Sequence, residues 1–136
     1  MVRIQSEAID YQTLTESVRS NNCGAVCLFL GTVREFTDGE QTKALAYEGH
    51  TTLAPQMLTQ VETETRSQWP VEEVMLVHRV GHLELGEISV AVAVSSGHRE
   101  QAFAACKFAI DRLKEIVPIW KQEHWADGRK EWVHPT

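Results

Sequence analysis

The sequence predicts an α+β fold with mixed or antiparallel strands and two or three helices. Three patterns carry that prediction. Ala25 to Val33 is a nearly unbroken apolar run of strand length. Ile88, Val90, Val92 and Val94 alternate with the small residues Ser89, Ala91, Ala93 and Ser95, as the two faces of a strand do. Ala102, Cys106, Ala109, Ile110, Leu113 and Val117 form one stripe at helical spacing. Strand-like segments come in hairpin-like pairs rather than in strict alternation with helices, which separates α+β from a doubly wound sheet.

Element by element, Val2 to Ile9 reads as a short first strand. Asp10 can cap a helix running to about Asn21, with Leu14 and Val18 on its buried side. Cys23-Gly24 turns the chain into the apolar run. Arg34 to Thr42 is polar and contains the turn signal Asp38-Gly39, and Lys43 to Gly49 reads as a returning strand, so the pair is expected to form a hairpin with a long tip. Leu53, Met57, Val61 and Thr65 recur at helical spacing within Thr51–Trp69, Pro55 is tolerated in the first turn, and Pro70 ends the helix. Val71–Val80 and Glu87–Ser95 are two further strands around a Gly81…Gly86 loop. The small-residue face of the second would let a helix pack closely. A helix over Gly97–Val117 is stopped by Pro118. Ile119–Trp125 and Lys130–Val133, joined through Asp127-Gly128, read as a terminal hairpin.

At 136 residues the chain is expected to be one domain, 1–136, large enough to fold without disulfides. No apolar run approaches the ~20 residues of a membrane span. The start has no apolar h-region, so a cytoplasmic location is expected. The net charge of -6 argues against broad nucleic-acid binding, which wants a basic surface. Cys23, Cys27 and Cys106 have no zinc-site spacing and read as reduced thiols packed like small hydrophobes. His50, His78, His82, His124 and His134 form no ligand-spaced cluster and read as surface or core residues; neither metal nor cofactor is expected.

Chemistry concentrates in four places. Ser95-Ser96-Gly97-His98-Arg99 puts a His-Arg pair at a helix N-terminus, where the backbone is already electropositive. An anion docked on the free N–H groups would turn that conflict into a binding site; otherwise both side chains turn to solvent or meet Glu100. Lys114 lies in the last turns of the helix, where a lysine also simply complements the dipole, with Asp111 as a surface partner at i−3. Lys121 follows among Trp120, Glu123, Trp125 and Trp132, surroundings that would destabilise its charged form and suit it to acid/base or nucleophilic work. Arg34 closes the apolar strand in Gly31-Thr32-Val33-Arg34 and could offer a planar fork to a phosphate.

Taken together these stretches resemble one family, the large subunit of molybdopterin synthase. GAVCLFLGTVRE, LAYEGH, VMLVHRVGHLELGEISVAVAVSSGHREQAFAACKFAIDRLKEIVPIWKQEHW and the closing WV run in family order from Gly24 to Val133. GTVR, SSGHR and LKEIVPIWK at these separations make a specific combination. The resemblance implies an α/β-hammerhead-like α+β fold and a homodimeric core, with a small ubiquitin-like sulfur carrier at each end to give a heterotetramer. It implies sulfur transfer from the carrier's C-terminal thiocarboxylate to cyclic pyranopterin monophosphate, which forms the molybdopterin dithiolene. By position, Lys114 and Lys121 match the family's catalytic lysines. Arg34, His98 and Arg99 match its anion-binding residues, some of them supplied across the dimer interface. Beyond Trp132-Val133, at His134-Pro135-Thr136, the resemblance assigns nothing. The alternative from another class is a non-catalytic adaptor that docks the carrier's tail, which would need a groove but not both lysines.

Overall fold

The structure is a computed structural model, and it describes residues 1–133. Within them three helices and nine strands follow one another as β1 (Val2–Gln5), α1 (Tyr11–Val18), β2 (Ala25–Thr32), β3 (Phe36–Thr37), β4 (Glu40–Gly49), α2 (Leu53–Gln68), β5 (Val71–Arg79), β6 (Gly81–Glu84), β7 (Ile88–Ser96), α3 (Arg99–Ile116), β8 (Ile119–Trp125) and β9 (Lys130–Val133). The strands make two sheets. The first has the order β1-β5-β7-β2, with β1 parallel to β5 and the other pairs antiparallel. The second runs β3-β4-β8-β9, and β6 adds to β4. This is the α+β class that the pattern of strand runs and helical stripes predicts.

Two apolar layers sandwich the first sheet. Val74, Leu76, Val90, Val92 and Val94 face α2 and α3 through Leu58, Val61, Ala105, Ala109 and Leu113. On the opposite face Ala91 and Ala93 meet Leu14 and Val18 of α1, so the small-residue face of β7 does receive a close helix. Fourteen of these side chains were exposed to water in the unfolded chain, and at about 25 cal/mol per Å² of apolar area their burial is the main favourable contribution to folding. The second sheet leans on the same core through Leu45, Tyr47, Leu83 and Ile119. α1 starts where its sequence signal places it: the Asp10 side chain accepts from the Thr13 amide at 3.1 Å.

The expected hairpin between the apolar run and Lys43–Gly49 does not form. β2 pairs with β7, from Ala25↔Ser96 to Thr32↔Ile88, whereas β4 pairs with β6 and β8 in the other sheet. The reason is burial. β2 has helices over both faces and needs a partner inside the helix-covered sheet. β4 instead turns Leu45 and Tyr47 onto the core and leaves Lys43 and Glu48 exposed. Only the tip forms locally, as β3 against the start of β4. The Gly81…Gly86 segment, expected to be a loop, carries β6; Gly81 and Gly86 hold positive φ at its two ends, where only glycine is unstrained. The terminal hairpin matches its expected bounds, with Gly128 at φ +95° in the turn.

One close approach ties the start of β2 to the start of α3. The Gly24 amide donates to the Gly97 carbonyl at 3.3 Å, and a Cβ on Gly24 would come within 2.8 Å of that same oxygen. Neither backbone can yield without unpairing Ala25 from Ser96. Gly24→Ala should therefore destabilise by about 1–3 kcal/mol, as overpacking does. Urea unfolding measures it, and an unchanged midpoint would mean that this junction has slack.

Candidate functional site

The C-terminal end of α3 and the beginning of β8 define a corner between the two sheets. Only Val117 and Pro118 separate helix from strand. The Val117 amide still bonds back to the Leu113 carbonyl, the Ile119 amide to the Val117 carbonyl, and the His50 amide to the Pro118 carbonyl. That tight joint brings Lys114 and Lys121 near one another although they belong to different layers. Lys114 is half-buried, and burial first, then the Lys121 ammonium, hold its amine below the usual lysine range. Asp111, the expected surface partner of Lys114, instead pairs with Lys107. Nothing neutralises Lys114 from within its own helix.

The floor and walls of the corner come from residues that sequence reading passed over. Tyr47 stands directly opposite Lys121 in the β4–β8 ladder. Its ring meets that of His78 edge-on, with centroids 5.1 Å apart. His78 is 2% exposed. Its Nδ1 lies 2.8 Å from the Arg79 carbonyl oxygen, which can only accept, so in the neutral ring Nδ1 carries the proton and Nε2 is a bare acceptor. Burial, and then the Lys114 ammonium against the backbone hydrogen bond, bring its pKa down to about 4. Burial likewise raises the Tyr47 hydroxyl above its usual value, with Ser89 opposing and Glu123 adding to the shift.

Ser89 reaches this corner through a β-bulge. Gly31 and Thr32 of β2 pair with Val90 and Ile88, which leaves Ser89 as the extra residue of β7. Its hydroxyl donates to the Gly31 carbonyl at 3.2 Å, and bulges of this kind re-aim a side chain. Glu123, two residues beyond Lys121 on the same face of β8, is buried and accepts a hydrogen bond from the Thr42 hydroxyl. A signal for His78 was present: Val74, Leu76 and His78 share one strand face, and the third position breaks an apolar row. Ser89 gave no such signal, because a bulge depends on a partner strand.

The five residues singled out by sequence do not converge within one copy. Arg34 follows β2 just past the Thr32↔Ile88 pair, at the same end of the first sheet as Lys114, and its Nε donates to the Thr37 hydroxyl at 3.2 Å. His98 and Arg99 lie at the other end. His98 is the N-cap of α3, in extended conformation and without a side-chain capping bond, and both it and Arg99 are exposed. Sixteen residues of helix separate His98 from Lys114, about 24 Å at the α-helical rise. Of the other histidines, His82 and His124 meet on the outer face of the second sheet with ring centroids 5.8 Å apart, and His134 lies outside the described residues. Among the described residues no three His, Cys, Asp or Glu side chains are placed to hold a metal ion.

Fold and corner together define an α+β protein whose two sheets meet at a lysine pair. Comparison with known proteins agrees. The family model described as MoaE protein matches residues 4–116. The molybdopterin synthase catalytic subunit of Halalkalibacterium halodurans is 42% identical over 130 residues, covering 96% of this chain and 83% of that protein. The crystal structure of molybdopterin synthase from Staphylococcus aureus superposes with a TM-score of 0.90 at 42% identity, covering 96% of this chain and 94% of that one. A Helicobacter pylori structure, a complex of subunits 1 and 2 of molybdopterin-converting factor, shares the fold with a TM-score of 0.79 at 20% identity, over 97% of this chain and 89% of that one. The chain belongs to the MoaE family, the family of molybdopterin synthase catalytic subunits.

A buried imidazole held neutral leaves a trace in the stability curve. Unfolding returns His78 to its ordinary value near 6.5, so between 6.5 and about 4 the unfolded chain binds the extra proton. His78 then contributes stability that is full above 6.5 and falls with pH by about 1.4 kcal/mol per unit, on the order of 3 kcal/mol by pH 4. The stability difference between the wild type and His78→Gln should shrink or reverse across that window. Denaturant titrations at pH 7, 5.5 and 4 check it; parallel curves would mean that the ring is already charged or solvated.

Proposed function

We propose that the chain transfers sulfur from the C-terminal thiocarboxylate of a small ubiquitin-like carrier subunit to cyclic pyranopterin monophosphate, building the molybdopterin dithiolene. The observation that carries this reading is the convergence of Lys114 and Lys121 on one corner, with Lys114 held below the usual lysine range, in a chain of the MoaE family. Attack by the thiocarboxylate and hydrolysis of the acyl intermediate place negative charge on oxygen and require protons to move. An ammonium aimed at that charge stabilises the transition state beyond the ground state, and an amine whose pKa is lowered by burial and a neighbouring ammonium gives up its proton more readily than a free lysine. The docking-adaptor alternative has no use for such a pair. The Helicobacter pylori neighbour, a complex of two different subunits, supports a carrier subunit as partner. A cytoplasmic setting goes with this reading; among the described residues no helix is long and apolar enough to cross a membrane.

Arg34, His98 and Arg99 are assigned to the substrate's phosphate, and a second copy of the chain explains their separation. β2 is an edge strand of the first sheet. Along that edge Val26 and Phe29 are exposed, as is Phe103 on α3. Arg99, Phe103, Ile110 and Lys114 share the flank of α3 turned away from α2, because Arg112 on the other flank pairs with Glu64 of α2. Two copies joined antiparallel along β2 about a two-fold axis would set the Thr32 end of one strand against the Ala25 end of the other. Arg34, Lys114 and Lys121 of one copy would then meet the partner's His98 and Arg99. Two such sites per dimer, each served by one carrier, make a heterotetramer.

Lys114→Ala and Lys121→Ala should each slow single-turnover product formation by roughly 10²-fold or more while the dimer and its thermal midpoint persist. Near-normal turnover in both variants, with carrier saturating, would remove the lysines from the chemistry. Mixing is the sharper measurement for the shared site. Lys114→Ala and Arg99→Ala chains, each nearly inactive alone, should regain up to about a quarter of wild-type activity after subunit exchange, because half the dimers then hold one intact site of two. No recovery, with exchange verified by mass, would place the whole site in a single copy.

A further inference from the structure

β2 ends at Thr32, yet Val33, the residue that leads into Arg34, is firmly held. Its amide donates to the Glu87 carbonyl at 3.0 Å, its carbonyl accepts from the Gly86 amide at 2.8 Å, and its side chain is buried in the core. Both backbone partners belong to the turn that joins β6 to β7, so the chain entering Arg34 is only as well placed as that turn. The Glu87 carboxylate closes it. Oε2 accepts from the Glu84 amide at 2.7 Å, and the Glu87 amide returns a bond to the Glu84 carbonyl at 3.2 Å. Gly86 between them takes the positive φ, +81°, that only glycine adopts without strain. Oε1 accepts from Arg79 Nη1 at 3.2 Å, and Arg79 Nε donates to the Ser6 carbonyl at 3.0 Å. The Glu84 amide first, and the Arg79 guanidinium with it, hold the Glu87 carboxyl below the usual carboxylate range, so the clamp is made by the charged form.

Resting on the assignment of Arg34 to the substrate's phosphate, we propose that Glu87 is a positioning residue for Arg34: its carboxylate, bridged between the Glu84 amide and Arg79, sets the turn that holds Val33 and thereby fixes the backbone from which Arg34 projects. A carboxylate suits the task because each of its two oxygens meets a different donor, one from the backbone and one from a side chain. The segment is tied on its far side as well, where the Glu35 carbonyl accepts from the Thr42 amide at 2.6 Å. Among the described residues the exposed Arg34 side chain bonds only through Nε, to the Thr37 hydroxyl, which leaves both Nη atoms for an anion. A guanidinium on a fixed stretch of backbone loses less freedom when it takes up a phosphate than one on a wandering loop.

Glu87→Gln separates this role from a merely structural one. The amide nitrogen cannot accept, so the variant must release either the Glu84 amide or Arg79. Hydrogen exchange on the dimer, which needs neither carrier nor pterin, should then show the Val33 and Gly86 amides exchanging about tenfold or more faster, with the central-strand amide of Val92 unchanged. Pterin phosphate affinity, read by calorimetry, should weaken by about three- to tenfold in Glu87→Gln and by about tenfold or more in Arg34→Ala. The double variant should bind no more weakly than Arg34→Ala alone, because Glu87 acts only through Arg34. Unchanged Val33 exchange in Glu87→Gln, or losses of affinity that add in the double variant, overturn the proposal. If Glu87→Gln does not fold, Arg79→Lys takes its place with the same expectations, since one ammonium cannot serve both Glu87 and the Ser6 carbonyl. Faster Val33 exchange together with normal pterin affinity in Arg34→Ala keeps the clamp on this segment and rejects the phosphate reading of Arg34.

Discussion

The joint between α3 and β8 governs how the two halves of the molecule relate. α3 lies on the first sheet through Ala102, Ala105, Ala109 and Leu113, while β8 is a central strand of the second, and two residues connect them. Pro118 cannot continue the helix, and its carbonyl accepts from His50 at the end of β4, so the turn is held from both sides. The contacts at the corner gather around that short connection: the nearness of Lys114 to Lys121, the edge-on contact of Tyr47 with His78, and the shared core beneath them. A longer loop would let the second sheet pivot on the first and would separate the lysines.

The corner is also where the fold gives up stability. It buries an imidazole, a phenol and a carboxylate and half-buries a lysine, where leucine and valine would pack without desolvation cost. The carboxylate of Glu123 is met by the Thr42 hydroxyl, and the imidazole by a backbone carbonyl. Among the described residues no acid pairs with the lysine. A site prepared for developing negative charge has this character, since the counter-charge arrives with the substrate. The apolar layers on both faces of the first sheet offset the cost, and the bulge at Ser89 is a local departure from regular pairing that serves the same corner.

The helices and the buried strands were legible because their patterns are local. Asp10 capping α1, Pro118 ending α3, the alternation in β7 and the Asp127-Gly128 turn each express a preference of a few adjacent residues. The partner of β2 was not legible. An apolar run states that a strand is buried but not against which neighbour, and the nearest candidate in sequence, Lys43–Gly49, lost to β7 across 55 residues of chain. β6 escaped for a related reason: a four-residue strand between two glycines has too few positions to show a period.

By itself the sequence determined the class of fold, the element order, the family through GTVR, SSGHR and LKEIVPIWK, and the side chains able to do chemistry. These depend on residue type and on spacing along the chain. Tertiary structure alone decided which of those side chains meet. It brought Lys114 to Lys121 across two layers and added Tyr47, His78 and Ser89 to the same corner. It also set His98 and Arg99 at the far end of an 18-residue helix, beyond reach within one copy. Proximity between layers depends on strand pairing and helix packing, which are summed over many weak contacts, so no single stretch of sequence contains it.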